Sequence, residues 1–383
     1  MTKQCKFTYN SLFYNKGDVA QCCMQSSVFR KTNWTDITGL DDFYSNNTEF
    51  AAIRQSLDNG FEHPVCQSCW VDERSYGSSM RTANTFQSNN ITSLSITHVD
   101  LRLSNKCNLQ CKMCNPYDSS QLAHIAKNVD AADIHHPFYN KIPDNASLDN
   151  TTLLNLILQL PQLDTVRLAG GEPFIMPEVE EFLHTLVQLN KTHLSIDIIT
   201  NCTTVNNKIL ALLTKFKRVD IKCSIDGVGD AFEYQRYPAK WKIVESNFVK
   251  LYNSTLNSVL LSPCVGLLNY LSLDELFKWA DNFPNTSVSY NEIYDPSCLN
   301  FRYIPQHVRE PFYKKFAAID LKNADPKWHQ FQKHTMYEYK EPTQDDCDML
   351  YQYTKKVWDP YSKHKFLDLY PWAEYMIARA TQA

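Results

Sequence analysis

Glycine is scarce in this sequence, and long apolar runs are missing. Only 9 of the 383 residues are glycine, so two adjacent glycines are unusual enough to need an explanation. No stretch of about 18 apolar residues occurs, which argues against a transmembrane helix. Residues 1–6 contain no apolar stretch of the kind found in a secretion signal. We therefore expect a cytoplasmic protein without a membrane partner.

A strong charge of one sign is also missing. The formal net charge is −4, with 38 basic and 42 acidic residues interspersed, so the sequence gives no electrostatic signal for nucleic acid. A specific nucleic-acid substrate is still possible. With 43% hydrophobic and 13% aromatic residues the chain can bury a large core, which does not fit overall disorder.

Cysteine, by contrast, is abundant, with 13 residues. In a reducing compartment such a chain more often binds metal or carries out redox chemistry than forms disulfides. Cys107, Cys111 and Cys114 have the spacing C-x3-C-x2-C directly after a strand-like segment. Thiolates suit iron and sulfide, and a four-iron cluster held by three cysteines keeps one iron open. A closed zinc site would need a fourth ligand from elsewhere. The spacing favours the cluster and leaves zinc as the alternative.

Six apolar-rich segments between about residues 94 and 293 predict strands that alternate with helices. The predicted strands are Val99–Leu103, Leu163–Leu168, Leu194–Ile199, Val219–Ile225, Val259–Val265 and Val288–Ile293. Alternation of this kind indicates parallel strands with right-handed crossovers. It fits both a partial six-fold barrel and a doubly wound sheet. In either fold, ligands bind at the carboxyl ends of the strands.

Small and polar residues stand at several of these strand ends. They are Gly170, Gly171 and Glu172 after the second strand, Thr200 and Asn201 after the third, and Ser224 and Asp226 at the end of the fourth. The glycine pair indicates a backbone that approaches a ligand closely or adopts positive φ, although an ordinary turn is the alternative. A glutamate and a proline at the same strand end, downstream of the cysteine loop, make a compound signal for a binding site.

The cysteine loop, the Gly-Gly-Glu-Pro stretch at 170–173 and the Ser-Ile-Asp-Gly stretch at 224–227 resemble the radical S-adenosylmethionine (SAM) superfamily. The resemblance implies an α/β fold with a partial (β/α)6 TIM-like barrel. It implies a [4Fe-4S] cluster on Cys107, Cys111 and Cys114, whose open iron binds SAM. It also implies an enzyme that cleaves SAM reductively to a 5′-deoxyadenosyl radical, which abstracts hydrogen from a substrate.

The same resemblance implies which residues contact SAM. They are Gly170, Gly171 and Glu172 for the amino group, Thr200, Asn201, Ser224 and Asp226 for the ribose and carboxylate, Arg236 for the carboxylate, and Met113 and Val265 for the adenine. An arginine fork matches a carboxylate geometrically, although a lone arginine more often forms a surface salt bridge.

A second set of five cysteines lies near the N-terminus: Cys5, Cys22, Cys23, Cys66 and Cys69. Their spacing fits a zinc ribbon and an iron–sulfur site about equally. With four further residues the segment resembles the auxiliary-cluster module called SPASM or twitch: Trp70, Glu73, Ser79 and Arg81. This resemblance implies an auxiliary [4Fe-4S] cluster on Cys5, Cys23, Cys66 and Cys69, with Cys22 possible in place of Cys23.

Three regions are predicted: a twitch/SPASM-like module over 1–93, the radical SAM barrel over 94–295, and a C-terminal helical extension over 296–383 whose role is open. Cys298 follows the last strand and could face the site, but packing is the simpler interpretation, as for Cys202, Cys223 and Cys264.

The resemblance leaves the substrate open, with a peptide or protein side chain preferred over a small molecule that is dehydrogenated. It implies a reductant such as flavodoxin or ferredoxin as a partner. A non-catalytic iron–sulfur, zinc or electron-transfer protein is the competing interpretation. The Gly-Gly-Glu-Pro element favours the enzyme, because an electron carrier needs neither an open iron nor a cofactor cradle.

Overall fold

The structure, a computed structural model, describes residues 3–25, 30–31, 36–83, 94–128, 151–318 and 339–382. The chain divides into two compact units. The first unit consists of Met1–Ser104, Asn145–Ile199 and Asn207–Asp220. The second consists of Asn105–Asp144, Thr200–Asn206 and Ile221–Ala383.

Within the described residues, the strands are β1 (Ser11–Asn15), β2 (Asp18–Ala20), β3 (Arg30–Lys31), β4 (His98–Arg102), β5 (Thr165–Leu168), β6 (Ser195–Thr200), β7 (Arg218–Cys223), β8 (Ser258–Leu261), β9 (Cys264–Val265), β10 (Ser287–Val288) and β11 (Asn291–Glu292). The predicted strands that begin at Val99, Leu163, Leu194 and Val219 are present as β4 to β7, within a few residues of the expected bounds.

The described helices are α1 (Lys6–Asn10), α2 (Leu40–Asn46), α3 (Thr48–Asp58), α4 (Gln67–Tyr76), α5 (Met80–Ala83), α6 (Ser120–Ala126), α7 (Thr151–Leu158), α8 (Pro177–Gln188), α9 (Asn207–Leu213), α10 (Gly229–Gln235), α11 (Trp241–Tyr252), α12 (Leu273–Ala280), α13 (Gln306–Ala317), α14 (Gln344–Gln352), α15 (Phe366–Leu369) and α16 (Glu374–Thr381). Of these helices, none has both the length and the apolar character needed to cross a bilayer.

The sheet of the first unit has the order β7-β6-β5-β4-β1-β2-β3, with the first half of β7 in this unit. β4, β5 and β6 run parallel, and β1 lies parallel to β4 with Leu12 opposite Val99. β2 and β3 are antiparallel additions. The predicted α/β class with a mostly parallel sheet is therefore confirmed, and it is consistent with a partial barrel.

The two faces of this sheet differ in character. Val166, Ile196 and Ile198 are fully buried on one face, as the period-two pattern of a strand requires. The opposite face carries charge: the Arg167 guanidinium lies 3.1 Å from Asp197 and 3.7 Å from Asp100. This ion-pair network was not predicted from the sequence.

In the second unit the order is β10-β8-β7, and β9 and β11 form a separate parallel pair. The predicted strand Val259–Val265 is thus two strands, β8 and β9. Pro263 lies between them and has no N–H to donate to a ladder, which is the physical reason for the break. The predicted strand Val288–Ile293 is likewise divided into β10 and β11.

An aromatic cluster fixes α10 in the second unit. The rings of Phe232 and Trp241 lie 5.4 Å apart, and Trp279 lies 5.1 Å from Trp241 and 5.0 Å from Phe248. Edge-to-face and tilted contacts of this kind add specific geometry to the burial of large side chains. α10, α11 and α12 therefore form one packed group, which sets the position of the residues that follow α10.

The C-terminal helices are joined to the residues after β11 through Asp346. Its carboxylate accepts hydrogen bonds from Ser297 at 2.5 Å and Tyr303 at 2.7 Å, and it also forms a capping box with Thr343 at the start of α14. Cys298 is fully buried beside this network. Its surroundings fit the packing interpretation.

Candidate functional site

The cysteine loop follows β4 and is held mainly by backbone hydrogen bonds. The Gln110 N–H donates to the Tyr237 carbonyl at 2.6 Å, and the Lys112 N–H donates to the Gln235 carbonyl at 2.8 Å. The Ser120 hydroxyl accepts from the N–H of Cys107 and donates to its carbonyl, both at 3.1 Å. These bonds set the course of the loop that carries the three thiols.

The three thiols of the loop influence one another. Burial raises the pKa of Cys111 to about 12, and Cys107 adds to this rise. Burial also raises the pKa of Cys114, with contributions from Asp118, Cys111 and Cys107. Three soft sulfur donors in one short loop fit a [4Fe-4S] cluster with an open iron. Because burial favours the protonated forms of Cys111 and Cys114, metal binding at these thiols must release their protons.

A buried ion pair lies beside Cys111. The Arg236 guanidinium donates to Asp226 through Nε at 2.5 Å and Nη2 at 3.1 Å, while its Nη1 lies 3.9 Å from the Cys111 sulfur. Burial alone would lower the pKa of Arg236, but the negative charge of Asp226 outweighs this and raises it, so the side chain stays charged. The Asp226 carboxylate also accepts from the Cys264 N–H at 2.7 Å.

The end of β6 meets the first cysteine of the loop. The Asn201 amide donates to Asn108 Oδ1 at 3.1 Å and lies 4.0 Å from the Cys107 sulfur. Asn108 donates to the Thr203 hydroxyl at 2.8 Å, and Thr203 donates back to Asn201 at 2.6 Å. The sequence predicted Asn201 but not Asn108 or Thr203, because nothing in either residue's local pattern indicates a shared network.

Two further predicted SAM contacts of the second unit have backbone groups that are engaged in hydrogen bonds of the fold. The Ser224 N–H donates to the carbonyl of Thr200 at 2.8 Å, and the Val265 carbonyl accepts from the Ile293 N–H at 2.9 Å. Val265 is fully buried, and Met113 is half-buried within the cysteine loop. These backbone groups already serve the fold.

The strand-end glycines belong to the first unit and both have positive φ, +75° for Gly170 and +53° for Gly171. A Cβ on Gly170 would lie 2.6 Å from the Cβ of Arg102, so the packing also requires glycine there. The fully buried Glu172 carboxylate accepts from the Phe174 N–H at 3.1 Å and caps the 3-10 helix Pro173–Ile175. The fold itself therefore requires the conformation of this turn, whether or not the turn also binds a ligand.

The N-terminal cysteines meet in the first unit around a small apolar cluster. Cys5 and Cys66 are buried with Ile53, Leu57 and Trp70. Burial raises the pKa of Cys5 to about 12, and the thiols of Cys69 and Cys66 add to it. Within the described part of the chain, no three or more His, Cys, Asp or Glu side chains converge on a single metal-ion position.

The adjacent residues Cys22 and Cys23 have different surroundings. A hydrogen bond to Cys23 and burial raise the pKa of Cys22, and Cys5 contributes to the rise. The Cys23 sulfur lies 4.0 Å from the Met80 sulfur, and charged groups on β4 and β5 act on it, among them Arg167. Cys22 is thus associated with Cys5, and Cys23 with the charged face of the sheet.

The four non-cysteine residues of the predicted auxiliary module come together. Arg81 donates to the Glu73 carboxylate at 2.9 Å through Nε, and Ser79 donates to the same carboxylate at 2.6 Å. The Arg81 guanidinium lies 4.7 Å from the centroid of the Trp70 ring, and its Nη1 donates to the Gln4 carbonyl at 3.0 Å. This network fastens the segment of Cys5 to the helix that carries Cys69.

Lys112 was missed in the sequence, because a lysine within a loop gives no signal of burial. It is only 2% exposed, and its ammonium donates to the Ser362 hydroxyl at 2.6 Å. The ammonium also lies 5.0 Å from the ring centroid of Tyr234 and 5.7 Å from that of Tyr237. Burial lowers the pKa of Lys112 to about 7, against the opposing effects of Cys111 and Asp359.

Comparison with known proteins gives one family and several distant structures. Residues 101–280 match the family model described as the radical SAM superfamily. Native anSMEcpe with bound AdoMet is 15% identical, with 57% of this chain and 61% of that chain covered and a TM-score of 0.39. SuiB from Streptococcus suis is 11% identical, with 76% and 63% covered and a TM-score of 0.38. The chain therefore spans less than two thirds of these structures. No match was found among curated proteins.

Proposed function

We propose that this chain, whose residues 101–280 match the model of the radical SAM superfamily, is an enzyme that takes hydrogen from a peptide or protein side chain. The observation that carries the proposal is the loop of Cys107, Cys111 and Cys114, whose thiols share one neighbourhood beside a buried arginine. A site that only carried electrons would not need an open iron.

When bound, the cluster and SAM would supply the radical chemistry that removes hydrogen from the substrate. The protein would bind and orient the cofactors and the substrate, and it would exclude water from the site. Cys107, Cys111 and Cys114 would hold the cluster. The amide network of Asn201 would fix the first of these cysteines, and the burial of Cys111 would keep water from its sulfur.

Each of the following residues is proposed as a SAM contact because the resemblance implies it: Met113, Gly170, Gly171, Glu172, Thr200, Asn201, Ser224, Asp226, Arg236 and Val265. The positive φ of the glycine pair supports close approach of a ligand to that backbone.

We propose that an auxiliary [4Fe-4S] cluster is held by Cys5, Cys22, Cys66 and Cys69. Cys22 is chosen over Cys23 because Cys5 is among the groups that raise the pKa of Cys22, whereas the Cys23 sulfur lies 4.0 Å from that of Met80. The Trp70, Glu73, Ser79 and Arg81 network supports the module, because it ties the segment of Cys5 to that of Cys69. A reductant such as flavodoxin or ferredoxin would supply the electrons.

The test is anaerobic reconstitution with iron and sulfide, followed by reduction with dithionite in the presence of SAM. We expect about eight irons per chain, four for each cluster, and release of 5′-deoxyadenosine. A fully loaded protein that releases no 5′-deoxyadenosine would support the non-catalytic alternative. Zinc at the N-terminal cysteines would replace the auxiliary cluster and leave the enzyme proposal standing.

The substrate class has its own measurement. Deuterium on candidate peptides should appear in 5′-deoxyadenosine when the labelled position is the one attacked. Transfer from a small alcohol and from none of the peptides would favour a small-molecule dehydrogenase instead.

A further inference from the structure

The contact between Arg236 and Cys111 assigns a second role to that arginine. Resting on the proposed function, we propose that Arg236 is a positioning residue for the loop cluster: its guanidinium, oriented by Asp226, donates to the Cys111 sulfur and stabilises the ligand set. The sequence resemblance implies that Arg236 binds the SAM carboxylate. That binding would be at most part of the role of Arg236.

The guanidinium is fixed by a two-point contact. Nε and Nη2 both donate to Asp226, so the plane of the fork is set and Nη1 must point in one direction. In that direction lies the Cys111 sulfur, 3.9 Å away, within the range of a hydrogen bond to sulfur. Arg236 is 6% exposed and Asp226 is fully buried, so water does not compete for either group.

Backbone hydrogen bonds on both sides hold Cys111 opposite Arg236. Gln110 pairs with Tyr237 and Lys112 pairs with Gln235, so the residues between them face each other across two short segments. A shift of one residue in this register would break both bonds. The short distance between the Arg236 guanidinium and the Cys111 sulfur is therefore set by the backbone as well as by the side chains.

Asp226 is itself held in place. Its carboxylate accepts from the Cys264 N–H at 2.7 Å, and its carbonyl accepts from the Asn269 amide at 3.0 Å. The same amide donates to the Cys264 carbonyl at 2.8 Å, and Asn269 Oδ1 accepts from the Gly266 N–H at 2.8 Å. A surface ion pair would have none of these supports. Asp226 therefore serves as the fixed anchor of Arg236.

The electrostatic consequence has a definite sign. Reduction adds negative charge to a cluster that three thiolates already make electron-rich. A nearby cation and a hydrogen bond to a ligand sulfur both favour the more negative state, and hydrogen bonds to sulfur are among the factors that set cluster potentials. Loss of Arg236 should therefore make the loop cluster harder to reduce, even when SAM is absent.

The experiment compares Arg236→Gln, Arg236→Lys and Asp226→Asn with wild type, all reconstituted and free of SAM. The readouts are the midpoint potential of the loop cluster from an EPR-monitored titration and the EPR spectrum of the reduced state. We expect a lower potential and an altered spectrum for Arg236→Gln. Arg236→Lys should give a smaller shift in the same direction, because lysine keeps the charge but not the fork. Asp226→Asn should alter the spectrum, because it removes the anchor that orients the guanidinium toward the Cys111 sulfur.

Arg302→Gln is the matched control, because Arg302 is also a largely buried arginine of the second unit, paired with Glu292. It should leave the potential unchanged. If Arg236→Gln has the wild-type potential and spectrum and loses only SAM affinity, Arg236 serves SAM alone and the inference is wrong. If wild type loads no iron at the loop, the proposed function fails and takes this inference with it.

Discussion

The two sets of cysteines are assembled in opposite ways. The loop thiols come from eight consecutive positions, 107–114, and are positioned by backbone bonds with buried cations beside them. The N-terminal thiols come from three separated segments, and two of them, Cys5 and Cys66, pack with Ile53, Leu57 and Trp70. The loop is thus positioned by local hydrogen bonds and the N-terminal set by an apolar cluster.

The largest effect should come from the loop. Cys111→Ala removes a proposed ligand, so we expect about four irons to be lost and 5′-deoxyadenosine release to be abolished. Cys264→Ala is the matched control, because this thiol lies near Cys111 and is not a proposed ligand. Iron analysis and product chromatography measure both. Equal iron loss in the two variants would mean that the ligand set has been assigned wrongly.

The second comparison separates Cys22 from Cys23. Cys22→Ala should lose the iron of the N-terminal set and keep that of the loop, while Cys23→Ala should keep both. Mössbauer or EPR spectra together with iron counts distinguish the two clusters. The reverse pattern would identify Cys23 as the ligand. It would mean that the Cys22 and Cys23 side chains change direction when a cluster binds.

Substitution in the turn of Gly170 and Gly171 should lower the stability of the protein. Gly170→Ala places a side chain at φ +75° and against Arg102, and we expect a loss of about 2 kcal/mol in the free energy of unfolding. At Gly39, a Cβ would meet no atom within 4 Å and φ is −161°, so Gly39→Ala should change stability little. Denaturant unfolding measures both. A stable Gly170→Ala protein that no longer binds SAM would instead assign this glycine to the cofactor.

The smallest change in stability is expected for the Arg81 network, which supports the N-terminal cysteines. Arg81→Lys loses the fork on Glu73 and the contact with Trp70, which we expect to cost about 1 kcal/mol. Arg74→Ala removes an exposed arginine paired with exposed Glu62 and should change stability less. Thermal unfolding of the iron-free proteins compares the two. Similar shifts would mean that the Arg81 network contributes no more than a surface pair.

The same comparison explains what the sequence could predict. The loop cysteines and the strand ends are local patterns, and a spacing or a period can be read without knowing the fold. The parallel pairing of β1 with β4 was missed, because it joins Leu12 to Val99 across most of the N-terminal region. The burial of Lys112 was missed for the same reason. Pro263, however, was a visible local signal that the fifth predicted strand is broken.

In the candidate site, too, the sequence predicted individual residues but not the contacts between them. Asp226 and Arg236 were predicted as separate cofactor contacts, because a motif assigns residues one at a time. The structure joins them in one ion pair whose third contact is a cysteine sulfur. The direction of a side chain depends on partners such as Cys264 and Asn269, which lie far along the chain, and no local pattern carries that information.

The buried ammonium of Lys112 has a consequence for the order of events in the cell. Its hydroxyl partner, Ser362, is 250 residues further along the chain. Proteins are synthesised from the N-terminus, so the loop emerges from the ribosome long before the group that satisfies its lysine. We expect iron to enter the loop only after residue 362 has been made. Iron content of ribosome-bound chains of increasing length would measure this delay.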